Sequence, residues 1–301
     1  MVKKNLNLSP VDLKLRHKAI RAKVIGQTII WVMLILMYIP ILMLIAYSFT
    51  AATNVGTWTG FSLKLYSDLF HDEEIMTALG NTIILALSSA AVSVILGTCG
   101  AIGVFYSKKR TRAVVETITQ IPVVNAEIVI ALSLTVMFVF VGSYLFQGAN
   151  VFSFWTLLVG HVILSLPFVY LSVKPKLQQM DPALYEAALD LGCTQRKALF
   201  KVVLPEIFPG VISGFLLAIT LSLDDFIVTA FTRGAGLLSG EKTIETLSTL
   251  VQAKIKKGPI PPAMRALTTI LVLVVFIAVV LITIYQNRAH KKKARKGRGS
   301  L

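Results

Sequence analysis

Long apolar runs separated by shorter polar connections dominate this chain. Six stretches, 25–49, 79–106, 120–142, 152–173, 207–231 and 266–286, are predominantly apolar over about the 20 residues a helix needs to cross a bilayer core. The first run follows a basic stretch, as a signal peptide would. Its apolar part is too long for one and lacks a small-residue cleavage pattern, so the pattern predicts a retained span. The expected fold is an all-α integral membrane protein with six transmembrane helices in one domain, residues 25–286, flanked by polar tails at 1–24 and 287–301.

Composition agrees, with 55% hydrophobic and 15% charged residues and a mean hydropathy of +0.75. A soluble domain with so little charge would be hard to keep in water. The net charge of +15 matters less than where the bases sit. The N-terminal tail carries seven (Lys3, Lys4, Lys14, Arg16, Lys18, Arg21 and Lys23), the 107–119 connection four, the 174–206 connection five and the C-terminal tail seven. Basic residues accumulate on the cytoplasmic side of membrane proteins, so both termini and the 174–206 connection are expected there, in a multi-pass protein of the cytoplasmic membrane. The opposite side holds one base in its first loop, none in its second and six in the 232–265 loop. That last loop strains the pattern, and its stretch "EKTIETLSTLVQAKIKK" is expected to form a helix on the outer surface. The tail "HKKKARKGRGS" directly follows a span, so it reads as an anchor attracted to anionic lipid rather than as a nucleic-acid patch.

Catalytic chemistry finds no foothold. Cys99 and Cys193 fit neither a disulfide framework nor a metal pattern. His17, His71, His161 and His290 are scattered without ligand spacing, and no nucleophile–base signature occurs. No catalytic or metal-binding residue and no enzyme activity is expected.

The stretch "YEAALDLGCTQRKALFKVVLPEIF", Tyr185–Phe208, is unlike its apolar surroundings. Asp181-Pro182 reads as an N-cap followed by proline at the first helical position. The helix is expected to stop at Gly192, the natural residue for a left-handed helix end. Thr194 can cap a second short helix, which Leu204-Pro205 should end before the fifth span. The small residue and glycine four apart resemble a DNA-reading helix-turn-helix, but a segment held between two spans cannot readily reach a groove. An ordinary solvated loop is the bland alternative. The functional one is a docking element whose small Ala187 and Ala188 let a partner approach.

Glu186-Ala187-Ala188, three residues, Gly192, nine residues, Val202, one residue, Leu204-Pro205 resembles the EAA loop of ABC-importer permeases, with Val202 in place of the family's isoleucine. The resemblance implies a type I importer permease in which Glu186, Ala187, Ala188, Gly192, Leu204 and Pro205 couple the spans to a separate ATPase. The chain has no GxxxxGK[ST] phosphate loop, so it is expected to hold no cofactor; ATP and Mg belong to the partner. A dimer of that ATPase, a second similar permease and an extracytoplasmic binding protein are the implied partners, with transport by alternating access.

Three acids fall inside predicted spans: Glu127 in "PVVNAEIVIALSL", and Asp224 and Asp225 in "ITLSLDDFIVTAF". Intramembrane carboxylates are costly and usually face an interior or a watery path; a membrane-edge position or a base in a partner chain is the alternative. Adjacent helical residues point about 100° apart, so one aspartate is expected to line a path while the other caps, pairs or faces a neighbour. Carboxylates along a path suit a cationic cargo. "SLDDFIVTAF", "IPVVNAEIVIALSL" and "YIPILMLIAYSFT" are similar to the PotC-type permeases of spermidine/putrescine importers over roughly residues 25–285. That resemblance makes Glu127, Asp224 and Asp225 the candidate polyamine contacts. Thiamine, an amino-phosphonate or ferric ion remain alternative cargoes, and an ion-coupled secondary transporter is the alternative class.

Overall fold

The computed structural model describes residues 10–52, 56–145, 151–236, 240–257, 261–277 and 280. Residues 1–9, with Lys3 and Lys4, and the basic tail 287–301 lie outside them. The chain divides into two compact units, Met1–His71 with Pro261–Leu301, and Asp72–Ile260.

In the first unit, helix α1 (Pro10–Ser48) contains the first predicted span. Its segment Lys23–Ser48 is apolar on all sides, and Ile29, Trp31, Met33 and Met37 are exposed. Such a surface needs lipid or protein rather than water. After α1 the chain turns back on itself: Ser48 Oγ and Tyr66 Oη are 2.8 Å apart, and Phe49 stacks on Phe61. Tyr66 lies on α2 (Lys64–His71). The helix Ala263–Ile277 begins the sixth predicted span; the remainder of that run, apart from Val280, lies outside the described residues.

The second unit is built around three long helices, α3 (Glu73–Phe105), α6 (Phe154–Gln179) and α9 (Leu204–Asp224), which pack on one another. Asp72 starts α3 by accepting hydrogen bonds from the backbone N–H groups of Glu74 and Ile75. Val169 of α6 is enclosed between two glycines. A Cβ on Gly97 of α3 would lie 2.8 Å from Val169 Cγ1, and one on Gly214 of α9 would lie 3.2 Å from Val169 Cα. Side chains there would force the helices apart, so the small residues set their spacing. Gly97→Leu is expected to cost about 1–3 kcal/mol by overpacking, read as a lower unfolding midpoint of the purified protein in detergent. The buried hydroxyls of Ser93 and Ser165, 2.7 Å apart, add a hydrogen bond between α3 and α6.

Among the described residues, five helices are long and apolar enough to cross a membrane. Two predicted spans are broken. The run 120–142 is not one helix: α4 (Lys109–Val124) ends at Asn125 and α5 (Glu127–Leu145) starts anew. The run 207–231 breaks at Asp225, whose extended backbone (φ −64°, ψ 125°) separates α9 from α10 (Ile227–Thr232). Hydropathy could not reveal either break, because the residues on both sides are apolar.

Leu204-Pro205 does not end a helix either. From α8 (Gln195–Ala198) the chain runs through a π-helical turn, Leu199–Val203, directly into α9. The Leu204 N–H bonds to the Leu199 carbonyl, five residues back. Proline lacks an N–H and its ring collides with the carbonyl four residues earlier; widening the turn accommodates Pro205 without stopping the helix.

The stretch expected to form one outer-surface helix divides into a short strand, β2 (Gly240–Thr243), paired antiparallel with β1 (Ala235–Gly236), and α11 (Leu247–Lys257). Rather than lying free, α11 is tied to α3: Thr82 Oγ1 accepts from the Leu247 N–H, and Lys254 Nζ is 2.7 Å from Glu74. Arg233 faces Glu245 at 4.0 Å. Two of the bases that strained the orientation reading are thus matched by acids.

Candidate functional site

The 174–206 connection forms a capped pair of short helices. Asp181 accepts from the Ala183 N–H, with Pro182 opening α7 (Pro182–Asp190). Gly192 has φ +82°, a conformation unfavourable for any side chain. Its N–H bonds to the Leu189 carbonyl, and the Cys193 N–H to the Ala188 carbonyl. These are the two bonds of a Schellman ending, so Gly192 terminates α7 and reverses the chain. Thr194 then caps α8 through the Lys197 N–H.

Glu186, Ala187, Gly192 and Pro205 are exposed, and Leu204 is half-buried. Ala188 is buried, and α7 packs against α8 and the π turn. The expectation that both alanines lie open to a partner is therefore corrected: only Ala187 does, because neighbouring helical positions diverge by about 100°. Sequence reasoning passed over the apolar part of this face. Leu191 is 86% exposed and Leu184 is exposed beside it. The inner side of α7 meets α3 through Tyr185, whose ring lies 5.2 Å from that of Tyr106.

Next to this segment, Glu116 of α4 receives Lys174 of α6 and Arg112 of its own helix, each at 3.0 Å. Hydrogen bonds from Lys174 first, and from Arg112, hold the Glu116 carboxyl below its ordinary range. A depressed folded-state pKa contributes stability that is full above the unfolded value and lost as pH falls through the folded one. Glu116→Gln is therefore expected to lower the unfolding midpoint at neutral pH, by less than about 1 kcal/mol for so accessible a cluster. The difference from the unaltered protein should close as the pH is taken below the carboxylate range.

The three acids of the predicted spans lie at the two helix breaks. Glu127 occupies the first turn of α5, where the helix dipole favours a carboxylate. One turn further on, Ala131 packs with Val228 of α10, so the starts of the two helices lie side by side. Beyond the break, α10 packs against α5 and α6; Thr135 of α5 donates to the Phe231 carbonyl and Thr156 of α6 to that of Thr232, each at 3.1 Å.

The two aspartates differ sharply. Asp224 and Glu127 are exposed, whereas Asp225 is buried. Its carboxylate accepts from the backbone N–H groups of Val228 (3.2 Å) and Thr229 (2.8 Å) and from the Thr229 hydroxyl (2.9 Å). Its carbonyl, freed by the break, accepts from Ser248 of α11 at 2.7 Å. Asp225 thus caps the start of α10 and satisfies the interrupted backbone, as irregular structure at membrane depth requires. Sequence reasoning gave no role to His161, yet its Nε2 lies 3.5 Å from Asp225 Oδ2. A lone histidine in an apolar run carries no spacing signal, so only the fold could bring it in.

Comparisons with known proteins agree with this architecture. Residues 93–295 match the family model described as binding-protein-dependent transport system inner membrane component. The chain is 32% identical over 260 residues to the putrescine transport system permease protein PotI of Escherichia coli (strain K12), covering 86% of this chain and 89% of that one. It is 32% identical over 244 residues to the spermidine/putrescine transport system permease protein PotC of the same strain, covering 81% and 87%. With PotC of Haemophilus influenzae the identity is 33% over 245 residues, covering 81% and 90%. Among solved structures, a chain of a bacterial ABC transporter involved in import of the acidic polysaccharide alginate superposes with a TM-score of 0.69, covering 91% of this chain and 97% of that chain. At 20% identity that likeness speaks for the fold alone. The matched model spans most of the chain, including the EAA-like segment and both helix breaks, and this chain belongs to the family of inner membrane components of binding-protein-dependent transport systems.

Proposed function

We propose that this chain is the permease subunit of an ATP-driven importer of polyamines such as spermidine and putrescine, forming half of the translocation path. The observation that carries the reading is that two exposed carboxylates, Glu127 at the start of α5 and Asp224 at the break before α10, stand at the heads of two helices that pack side by side, while Asp225, also a sequence candidate for contact, is enclosed as a cap. Relatives named for putrescine and spermidine transport support the same cargo. A polyamine loses the hydration of several ammonium groups on entering a path, and carboxylates replace it. An anionic cargo would be repelled.

In this reading the chain itself hydrolyses nothing. The exposed face of α7, with Glu186, Ala187 and Leu191, docks on a separate ATPase dimer that binds ATP and Mg. Gly192, Leu204 and Pro205 shape the connection that carries ATPase closure to α9. A second permease completes the path, and an extracytoplasmic binding protein delivers the cargo; one solved relative was crystallised with its substrate-bound periplasmic protein. Both termini face the cytoplasm, where the basic tails 1–24 and 287–301 flank the permease domain 25–286 and meet anionic lipid. Broken helices also occur in ion-coupled secondary transporters, but family membership favours the importer.

The test is uptake into proteoliposomes containing the assembled complex and its binding protein. ATP-dependent entry of labelled spermidine or putrescine, with thiamine and ferric ion excluded, is the expected result. Entry of one of those solutes instead would replace the cargo, and uptake driven by an ion gradient without ATP would replace the class.

A further inference from the structure

The side chains of His161 and Asp225 are both fully enclosed. His161 stands on α6, and its two ring nitrogens reach opposite sides of the α9–α10 break. Nδ1 is 2.8 Å from the hydroxyl of Ser222, before the break, and Nε2 is 2.9 Å from that of Thr229, after it. A histidine that merely filled the core could satisfy its nitrogens on any neighbours. This one joins the two halves of an interrupted helix.

One neutral tautomer accounts for all of these contacts. Ser89 of α3 donates to Ser222 at 3.2 Å, and Ser222 donates to Nδ1. The N–H on Nε2 then donates to Thr229 Oγ1, which donates in turn to Asp225 Oδ2 at 2.9 Å. The hydroxyls of Ser222 and Thr229 each give one hydrogen and accept one, and the relay ends on an ionised carboxylate that only accepts. The chain of bonds links α3, α9, α6 and α10 in that order.

We propose that His161 is the positioning residue of the acidic pair: by bridging Ser222 and Thr229 it holds Asp225 inside the helix break, leaving Asp224 as the open carboxylate. Without that bridge nothing else named in the relay spans both sides of the break. Asp225 would lose its support from α6, and the direction of Asp224 relative to Glu127 would no longer be set. The transport consequence rests on the polyamine reading above, while the bridge itself does not.

The experiment compares His161→Leu, His161→Asn and His161→Gln in the assembled importer. Leucine removes both contacts and is expected to lower spermidine uptake per assembled complex at least about tenfold, the scale of a lost hydrogen bond to a charged network. Glutamine can present an N–H where Nε2 stood, toward Thr229 and Asp225, and should restore most of the uptake. Asparagine reaches only the Ser222 side and should behave like leucine. In an Asp225→Asn background the leucine change should add little further loss, because the two residues act through one network. A purely structural histidine would change the yield of complex but not uptake per complex. Full uptake with leucine, no rescue by glutamine, or losses that multiply in the double variant would overturn the proposal. If leucine prevents assembly, the comparison of glutamine with asparagine decides. If the unaltered complex imports no polyamine, the cargo reading fails by itself, and the bridge is judged by unfolding midpoints of the glutamine, asparagine, Asp225→Asn and combined variants. Non-additive shifts with glutamine closest to the unaltered protein uphold it; additive shifts overturn it.

Discussion

Asp224→Asn is expected to reduce ATP-driven spermidine uptake at least about tenfold without reducing the amount of assembled complex, because one carboxylate–ammonium contact in a partly dehydrated path is worth about 1–4 kcal/mol. Asp225→Ala should fail differently. Its carboxylate caps α10 and is enclosed with His161, so its removal strands the N–H groups of Val228 and Thr229 inside the protein, at about 1–3 kcal/mol for each buried group. Less complex should assemble, and what assembles should unfold at a lower midpoint. Measuring uptake per assembled complex together with unfolding midpoints separates the two roles. Equal behaviour of the two variants in both assays would show that the contrast between an open and a buried aspartate has no functional meaning. Normal uptake in Asp224→Asn would remove the acidic path as the basis of the cargo reading.

Glu186→Lys carries the second large effect. Glu186 is exposed on α7 beside Ala187, on the face proposed to dock on the ATPase, and reversing its charge opposes whatever basic group receives it. Double-mutant measurements on close charge pairs at interfaces give about 1.5–7 kcal/mol, so ATP hydrolysis should no longer drive uptake, with the permease itself folded as before. The fold predicts that tolerance, since Glu186 lies outside the caps at Asp181, Gly192 and Thr194 that hold the segment together. Coupled transport at the normal ratio of ATP to cargo would sink the docking assignment. Leu191→Ser, which removes an exposed apolar side chain from the same surface, should weaken ATPase recruitment in the same assay.

What could be read without the fold followed from local rules. Cap residues act within a turn of themselves, so Asp181 and Pro182 marked the start of α7, Gly192 its end and Thr194 the start of α8. The spacing from Glu186 to Pro205 is a property of the chain, and it pointed to the family that the comparisons show. Helix ends inside apolar runs were not legible. Asn125 and Asp225 interrupt stretches whose hydropathy is continuous, and part of what stabilises the second interruption comes from elsewhere in the chain: Ser248 for the backbone and His161 beside the carboxylate. The division of the alanine pair into an open Ala187 and a buried Ala188 likewise depended on what α7 packs against.

The sequence by itself determined that this chain is made of apolar helices for a membrane, with a charged, capped segment between its later spans, because length, hydropathy and capping act locally along the chain. Only the tertiary structure decided that Glu127 and the aspartate pair, nearly a hundred residues apart, stand at the breaks before two helices that pack together, and that one aspartate is open while its neighbour is held inside. The reason is physical. A buried carboxylate persists only where donors satisfy it; Val228 and Thr229 supply them locally, but the enclosure beside His161 of α6 and the bond from Ser248 of α11 to the freed carbonyl are properties of packing that no single stretch of residues contains.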